Sequence, residues 1–175
     1  RFLVASDAAY EAGRGSGGFL FVLRPGQASE SRDAREVDLP DSLYAIWGPQ
    51  KTYIAQLELF MILVGITNFA PSIRGSRGIW FVDNIAALMA LVRGRSDSQS
   101  LDLLAKQIHA ALFAIGADIY FEWIASEANW SDGISRTGLA DQWYRQNGFS
   151  PGVCESFPFI LLMPFTPLLR IFQAL

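Results

Sequence analysis

The sequence predicts an α/β domain with a five-stranded mixed sheet, three antiparallel strands followed by parallel ones, and helices on both faces. Two observations lead there. Short apolar runs rich in strand formers open the chain, and from Lys51 onward helical and strand-like periods alternate. The bulk numbers agree with one domain. The chain has 175 residues, 51% of them apolar and 18% charged, which is enough apolar surface for a sizeable core and far from a disordered composition.

The elements follow in order. Phe2–Ser6 is a short apolar run that ends at Asp7. Glycines follow at 13, 15, 17 and 18, and after them Phe19–Leu23 reads as a second strand stopped by Pro25-Gly26. Arg35–Leu39 and Leu43–Trp47 each fit a third antiparallel member. Between Lys51 and Phe69 the apolar positions Ile54, Leu57, Met61, Ile62 and Gly65 take helical spacing, with Thr52 as the expected N-cap. Gly78–Val82 reads as a buried central strand ending in Asp83-Asn84. A short helix is expected over Ile85–Val92, a polar break over Arg93–Ser100 and a long helix over Leu101–Ile115 ended by Gly116. Ile119–Ile124 is the fifth strand, and Asn129 or Ser131 caps a last helix running toward Leu139.

Four carboxylates stand out. Asp7 and Asp83 end predicted strands, and Asp132 opens a predicted helix. Each alone is ordinary, because Asp favours turns and helix N-termini. Glu58 is different. It sits mid-helix in Gln56-Leu57-Glu58-Leu59-Phe60, among residues that build cores. A charge buried there needs a partner or a metal, and oxygen ligands suit a hard divalent cation.

The order strand-Asp, helix-Glu, strand-Asp, helix-Asp resembles the ribonuclease H (RNase H) domain of retrotransposon reverse transcriptases. The matching segments are Val4-Ala5-Ser6-Asp7, Gln56-Leu57-Glu58-Leu59, Phe81-Val82-Asp83-Asn84 and Asn129-Trp130-Ser131-Asp132-Gly133-Ile134-Ser135-Arg136. The resemblance runs from about residue 2 to about residue 138. It implies a metal-dependent endonuclease that hydrolyses the RNA strand of RNA–DNA hybrids with two Mg²⁺ ions, or Mn²⁺ in their place. Asp7 would bridge both ions, Glu58 and Asp83 would complete one site, and Asp132 the other. Backbone amides and small polar residues near Gly15–Gly18, Gly17 among them, and near Gln56 and Asn84 would sense 2′-hydroxyls. Arg93 and Arg95 are candidate phosphate contacts, and Asn129 and Trp130 candidate substrate contacts beside Asp132. The resemblance also implies a polymerase region of the same polyprotein as partner.

Two departures qualify this. Many relatives carry a His shortly before the last Asp, where this chain has Ser126-Glu127-Ala128, and its sole histidine is His109 in the long helix. The break at residues 93–98 is too short for the basic protrusion that grips hybrid in some members. With a net charge of −3, the chain is expected to borrow its grip from a neighbouring domain. A catalytically weak or inactive RNase H-like scaffold is therefore the alternative. Other nucleases of the fold fit less well, since a proofreading-type site would want an acid at Ala9 and a transposase-type site a Glu after both strand aspartates.

The domain is expected over 1–140, followed by an apolar extension over 141–175 that packs on the domain or a partner. From Phe157 the extension nears membrane-span length, but Pro158, Pro164, Pro167 and Arg170 argue against a spanning helix. A single cysteine, Cys154, suits an intracellular setting, and an opening Arg1-Phe2-Leu3 without Met reads as the interior of a longer polypeptide.

Overall fold

A computed structural model describes residues 1–154. β1 (Phe2–Glu11), β2 (Arg14–Leu23) and β3 (Ser31–Leu39) form an antiparallel meander. Ala12 and Gly13, both at positive φ, close the two-residue hairpin between the first pair. After α1 (Ser42–Trp47) and α2 (Ile54–Ile73) come β4 (Arg77–Val82), α3 (Ile85–Arg93), α4 (Gln99–Ile115) and β5 (Asp118–Trp123). α5 (Asp132–Thr137), α6 (Trp143–Gln146) and β6 (Ser150–Val153) complete the described chain. The sheet order is β5-β4-β1-β2-β3-β6, with β4 and β5 parallel to β1 and β6 parallel to β3.

The mixed sheet with helices on both faces is as predicted, but it has six strands, not five. The sixth, β6, comes from the predicted extension, whose remainder from residue 155 lies outside the described residues. Four other expectations change. β1 continues four residues past Asp7, so Asp7 lies mid-strand. The glycine run 15–18 lies inside the second strand, not before it. Leu43–Trp47 is helical, because its inward residues, buried Leu43 with half-buried Tyr44 and Trp47, fall on one helical face at spacings of one, three and four. Thr52 is not the N-cap of α2; that position is Tyr53, and Thr52 Oγ1 only accepts a long 3.4 Å bond from the Ile54 N–H.

The main core lies between the sheet and the α2, α3 and α4 layer. α2 is long and apolar enough to cross a membrane by length and composition, but the sheet and α4 cover it, and Leu57 through Val64 are buried without a gap. A helix apolar all round is a central core helix when protein surrounds it. On the opposite face a smaller cluster, Leu20, Val22, Ala34, Ile134, Tyr144 and Phe149, seats α5 and α6.

Two consecutive glycines in β2 let helices from both faces close in. A Cβ on Gly17 would fall on the Met61 side chain of α2, one turn beyond Glu58. A Cβ on Gly18 would fall 2.8 Å from Ile134 Cβ and from the Ser135 backbone nitrogen of α5. Gly18→Ala is therefore expected to push α5 off the sheet and cost about 1–3 kcal/mol, the usual range for overpacking. A drop in the urea unfolding midpoint at unchanged slope checks this. An unchanged midpoint would mean that α5 is not packed against β2 as described.

Candidate active site

Three of the four predicted carboxylates converge. Asp7, Glu58 and Asp83 each offer an oxygen, and the three atoms lie within 4.8 Å of one another. The parallel register brings the first pair together. β1 and β4 pair up to Ala5↔Phe81, and two residues further on each chain are Asp7 and Asp83. Glu58 enters from α2 as that helix crosses the strands.

The environment of this cluster is costly for charge. Glu58 is 2% exposed and Asp7 5%. Glu58 Oε1 accepts a bond from the Ala8 N–H at 3.0 Å. Its other oxygen, Oε2, is buried with no hydrogen-bond partner. Burial raises the Glu58 carboxyl well above the ordinary carboxylate range, and the Asp7 and Asp83 charges raise it further. Burial also pushes Asp7 up to about 6. A hydrogen bond from Ser135 partly offsets that rise, and Asp83 and Asp132 add to it. Three hard oxygen donors and one orphaned buried oxygen fit a hard divalent cation, which would neutralise the charge and take up the free lone pairs.

Asp132 is not drawn into the cluster. It opens α5 near enough to raise Asp7, but its Oδ1 accepts from Arg136 Nε at 2.8 Å, one helical turn on. Arg136 also reaches Glu11 at 3.4 Å. A second residue of α5 acts on the cluster directly: buried Ser135 donates its hydroxyl to Asp7 Oδ2. Sequence reasoning gave neither Ser135 nor Arg136 a role. The signal was their place three and four residues after Asp132, one turn up the same helix.

The remaining candidates are spread around this centre. Gly17 lies under α2, as described above. Buried Gln56 donates to Gln50 Oε1 at 2.7 Å and Ser100 Oγ at 3.1 Å, joining the starts of α2 and α4. Asn84 caps α3, its side chain accepting from the Ala87 N–H at 3.0 Å. Asn129 is buried; it donates to the Ser6 carbonyl and accepts from the Ser131 hydroxyl, tying the approach of α5 to β1. Trp130 packs on Phe81 and lines an open cleft of about 500 Å³ with Asp132, Glu127 and Trp143. Arg93 and Arg95 line a separate cleft of about 310 Å³ between α3 and the start of α4. His109 is a helix residue, with a ring nitrogen 2.8 Å from the Leu91 carbonyl.

Solved structures with a similar fold are known. The N-terminal RNase H domain of Rv2228c from Mycobacterium tuberculosis, solved as a fusion with maltose-binding protein, is similar at a TM-score of 0.54 and 12% identity, over 84% of this chain and 98% of that one. The fold is that of RNase H. RNase H1 from the halophilic archaeon Halobacterium salinarum NRC-1 is also similar, at a TM-score of 0.53 and 14% identity, over 81% of this chain and 98% of that one. At such identities the likeness carries the RNase H fold and no more. No protein-family model and no curated protein matches the chain by sequence.

Proposed function

We propose that this chain is a metal-dependent endonuclease acting on the RNA strand of RNA–DNA hybrids, within a retroelement reverse transcriptase. The observation that carries the proposal is the buried carboxylate trio with its orphaned Glu58 Oε2. Asp7, Glu58 and Asp83 would hold Mg²⁺ or Mn²⁺, and Asp132 would serve a second ion once released from Arg136. Bound there, the cation would lower the pKa of the attacking water and offset charge on the leaving 3′-oxygen. The chain itself supplies a rigid carboxylate frame from both sheet faces and needs no protein nucleophile. Selectivity for RNA would come from the shallow groove of the hybrid and its 2′-hydroxyls, with Trp130 at the rim. Arg93 and Arg95 would meet backbone phosphate. The acidic net charge favours a polymerase region as the source of further substrate grip.

The test is cleavage of a labelled hybrid with Mg²⁺, using DNA duplex as control. Wild type is expected to cut the RNA strand only, and Asp83→Asn to lose at least ~10²-fold, the scale for removing one preorganised electrostatic group. Full cleavage by Asp83→Asn would refute the site. No metal-dependent cleavage by wild type, even joined to its polymerase region, would leave the scaffold reading.

A further inference from the structure

Resting on that reading, we infer that Ser135 is a positioning residue that orients the Asp7 carboxylate for cation binding. Ser135 is 1% exposed, and its hydroxyl points at Asp7 Oδ2. A hydroxyl has one proton to give. The Asp132 carbonyl is also in reach at 2.9 Å, but the carboxylate is the stronger acceptor and takes it.

Three contacts hold the backbone that carries the hydroxyl, and the two that do not involve Ser16 are enough to keep it on Asp7. The Ser16 hydroxyl donates to the Ser135 carbonyl at 2.6 Å. The Ser135 N–H donates to the Ser131 carbonyl at 3.0 Å within the helix. Gly18, the register partner of Asp7, leaves no space between β2 and the Ser135 nitrogen. A carboxylate otherwise turns easily about its last torsion, which is broad for Asp. With Oδ2 held from the α5 side, Asp7 keeps its second oxygen for the cluster it shares with Glu58 and Asp83. Ser135 thereby links the helix that carries Asp132 to the carboxylate at the centre of the site.

Outer hydrogen-bond partners of metal ligands typically contribute 10–100-fold to metal affinity. The experiment is Mn²⁺ titration of the whole chain by calorimetry and electron paramagnetic resonance, with thermal unfolding to confirm that each variant folds. Ser135→Ala is expected to bind Mn²⁺ about 10–100-fold more weakly. Ser135→Thr, which keeps the hydroxyl, is expected to restore most of that affinity. Ser16→Ala removes the anchor of the Ser135 carbonyl and leaves the hydroxyl on Asp7, so it separates orientation from helix docking. It is expected to bind Mn²⁺ within about twofold of wild type, far less than the 10–100-fold expected for the hydroxyl itself.

Wild-type affinity in Ser135→Ala overturns the inference. So does an equal loss in Ser135→Ala and Ser16→Ala, which would make Ser135 a docking residue. If Ser135→Ala does not fold, Ser135→Thr decides: wild-type affinity supports the inference, and a loss above tenfold in a folded protein overturns it. The underlying reading fails differently, through Asp7→Asn and Glu58→Gln binding Mn²⁺ as wild type does.

Discussion

Asp7→Asn is expected to inactivate the protein and, without metal at pH 8, to make it more stable. Most substitutions of buried residues destabilise. Here the native residue is the strained one. Asp7 is pushed from 3.8 to about 6, so the ionised carboxylate opposes folding by on the order of 3 kcal/mol at a pH well above both values. Asn has nearly the same shape and no charge. The stronger Ser135 bond to the charged form is already contained in that figure; allowing about 1 kcal/mol for imperfect pairing of the new amide donor, the net gain is roughly 2 kcal/mol. For a domain of this size that is a rise of about 4–8 °C in melting temperature. On the proposed function, cleavage of hybrid should fall at least ~10²-fold, because the carboxylate proposed as the central cation ligand is gone. Calorimetry in EDTA beside the cleavage assay checks both halves. A variant that melts below wild type, or that still cuts hybrid, would sink the account of Asp7.

The same trade shows why part of the site was legible in the sequence. Glu58 announced itself because a charge among Leu57, Leu59 and Phe60 breaks the local rule for an apolar helix, and such breaks gather at functional sites. Asp7 and Asp83 break no local rule. Their meeting depends on the parallel register of β1 and β4, a long-range pairing that no window of sequence contains. The glycine run was legible as composition and misread as structure. Glycine is a poor strand former, yet residues 15–18 are strand because Gly17 and Gly18 make room for a helix on each face.

Other elements were hidden for related reasons. β6 is four residues, Ser150-Pro151-Gly152-Val153, with no strand-forming pattern of its own. It is a strand because the edge of β3 offers it a ladder. Asp132 was legible as a helix opener, but its engagement with Arg136 depends on which neighbour its side chain turns toward. The role of Ser135 is equally invisible locally. Ser135 lies within the segment that carries the resemblance, but that segment does not say what its hydroxyl touches, and only the packing of α5 over Gly18 delivers it to a strand 128 residues away in sequence.

The stability of the protein should therefore change direction with pH according to whether a divalent cation is present. Asp7 and Glu58 both have raised values in the folded state. The folded protein holds their protons to higher pH than the unfolded chain does. Their contribution is then most favourable below about pH 4, and it is lost as pH rises toward about 6 for Asp7, with Glu58 acting in the same direction. Carboxylates lowered by partners, such as Glu30 and Asp102, act in the opposite sense, but they finish titrating at more acid pH. In EDTA the melting temperature is expected to fall between pH 5 and pH 8. A cation prefers the ionised trio, so its effect grows over the same interval. At a free concentration one hundred times its dissociation constant it adds about 2.7 kcal/mol. With excess Mn²⁺ the decline should flatten or reverse, so the two curves diverge toward alkaline pH and meet near pH 5, where protons compete for the same oxygens. Asp7→Asn should weaken both the decline in EDTA and the response to Mn²⁺. Thermal unfolding of wild type and variant at pH 5, 6.5 and 8 measures all of this. A wild-type melting temperature that is flat or rising in EDTA would show that the buried carboxylates are not under the strain their surroundings imply.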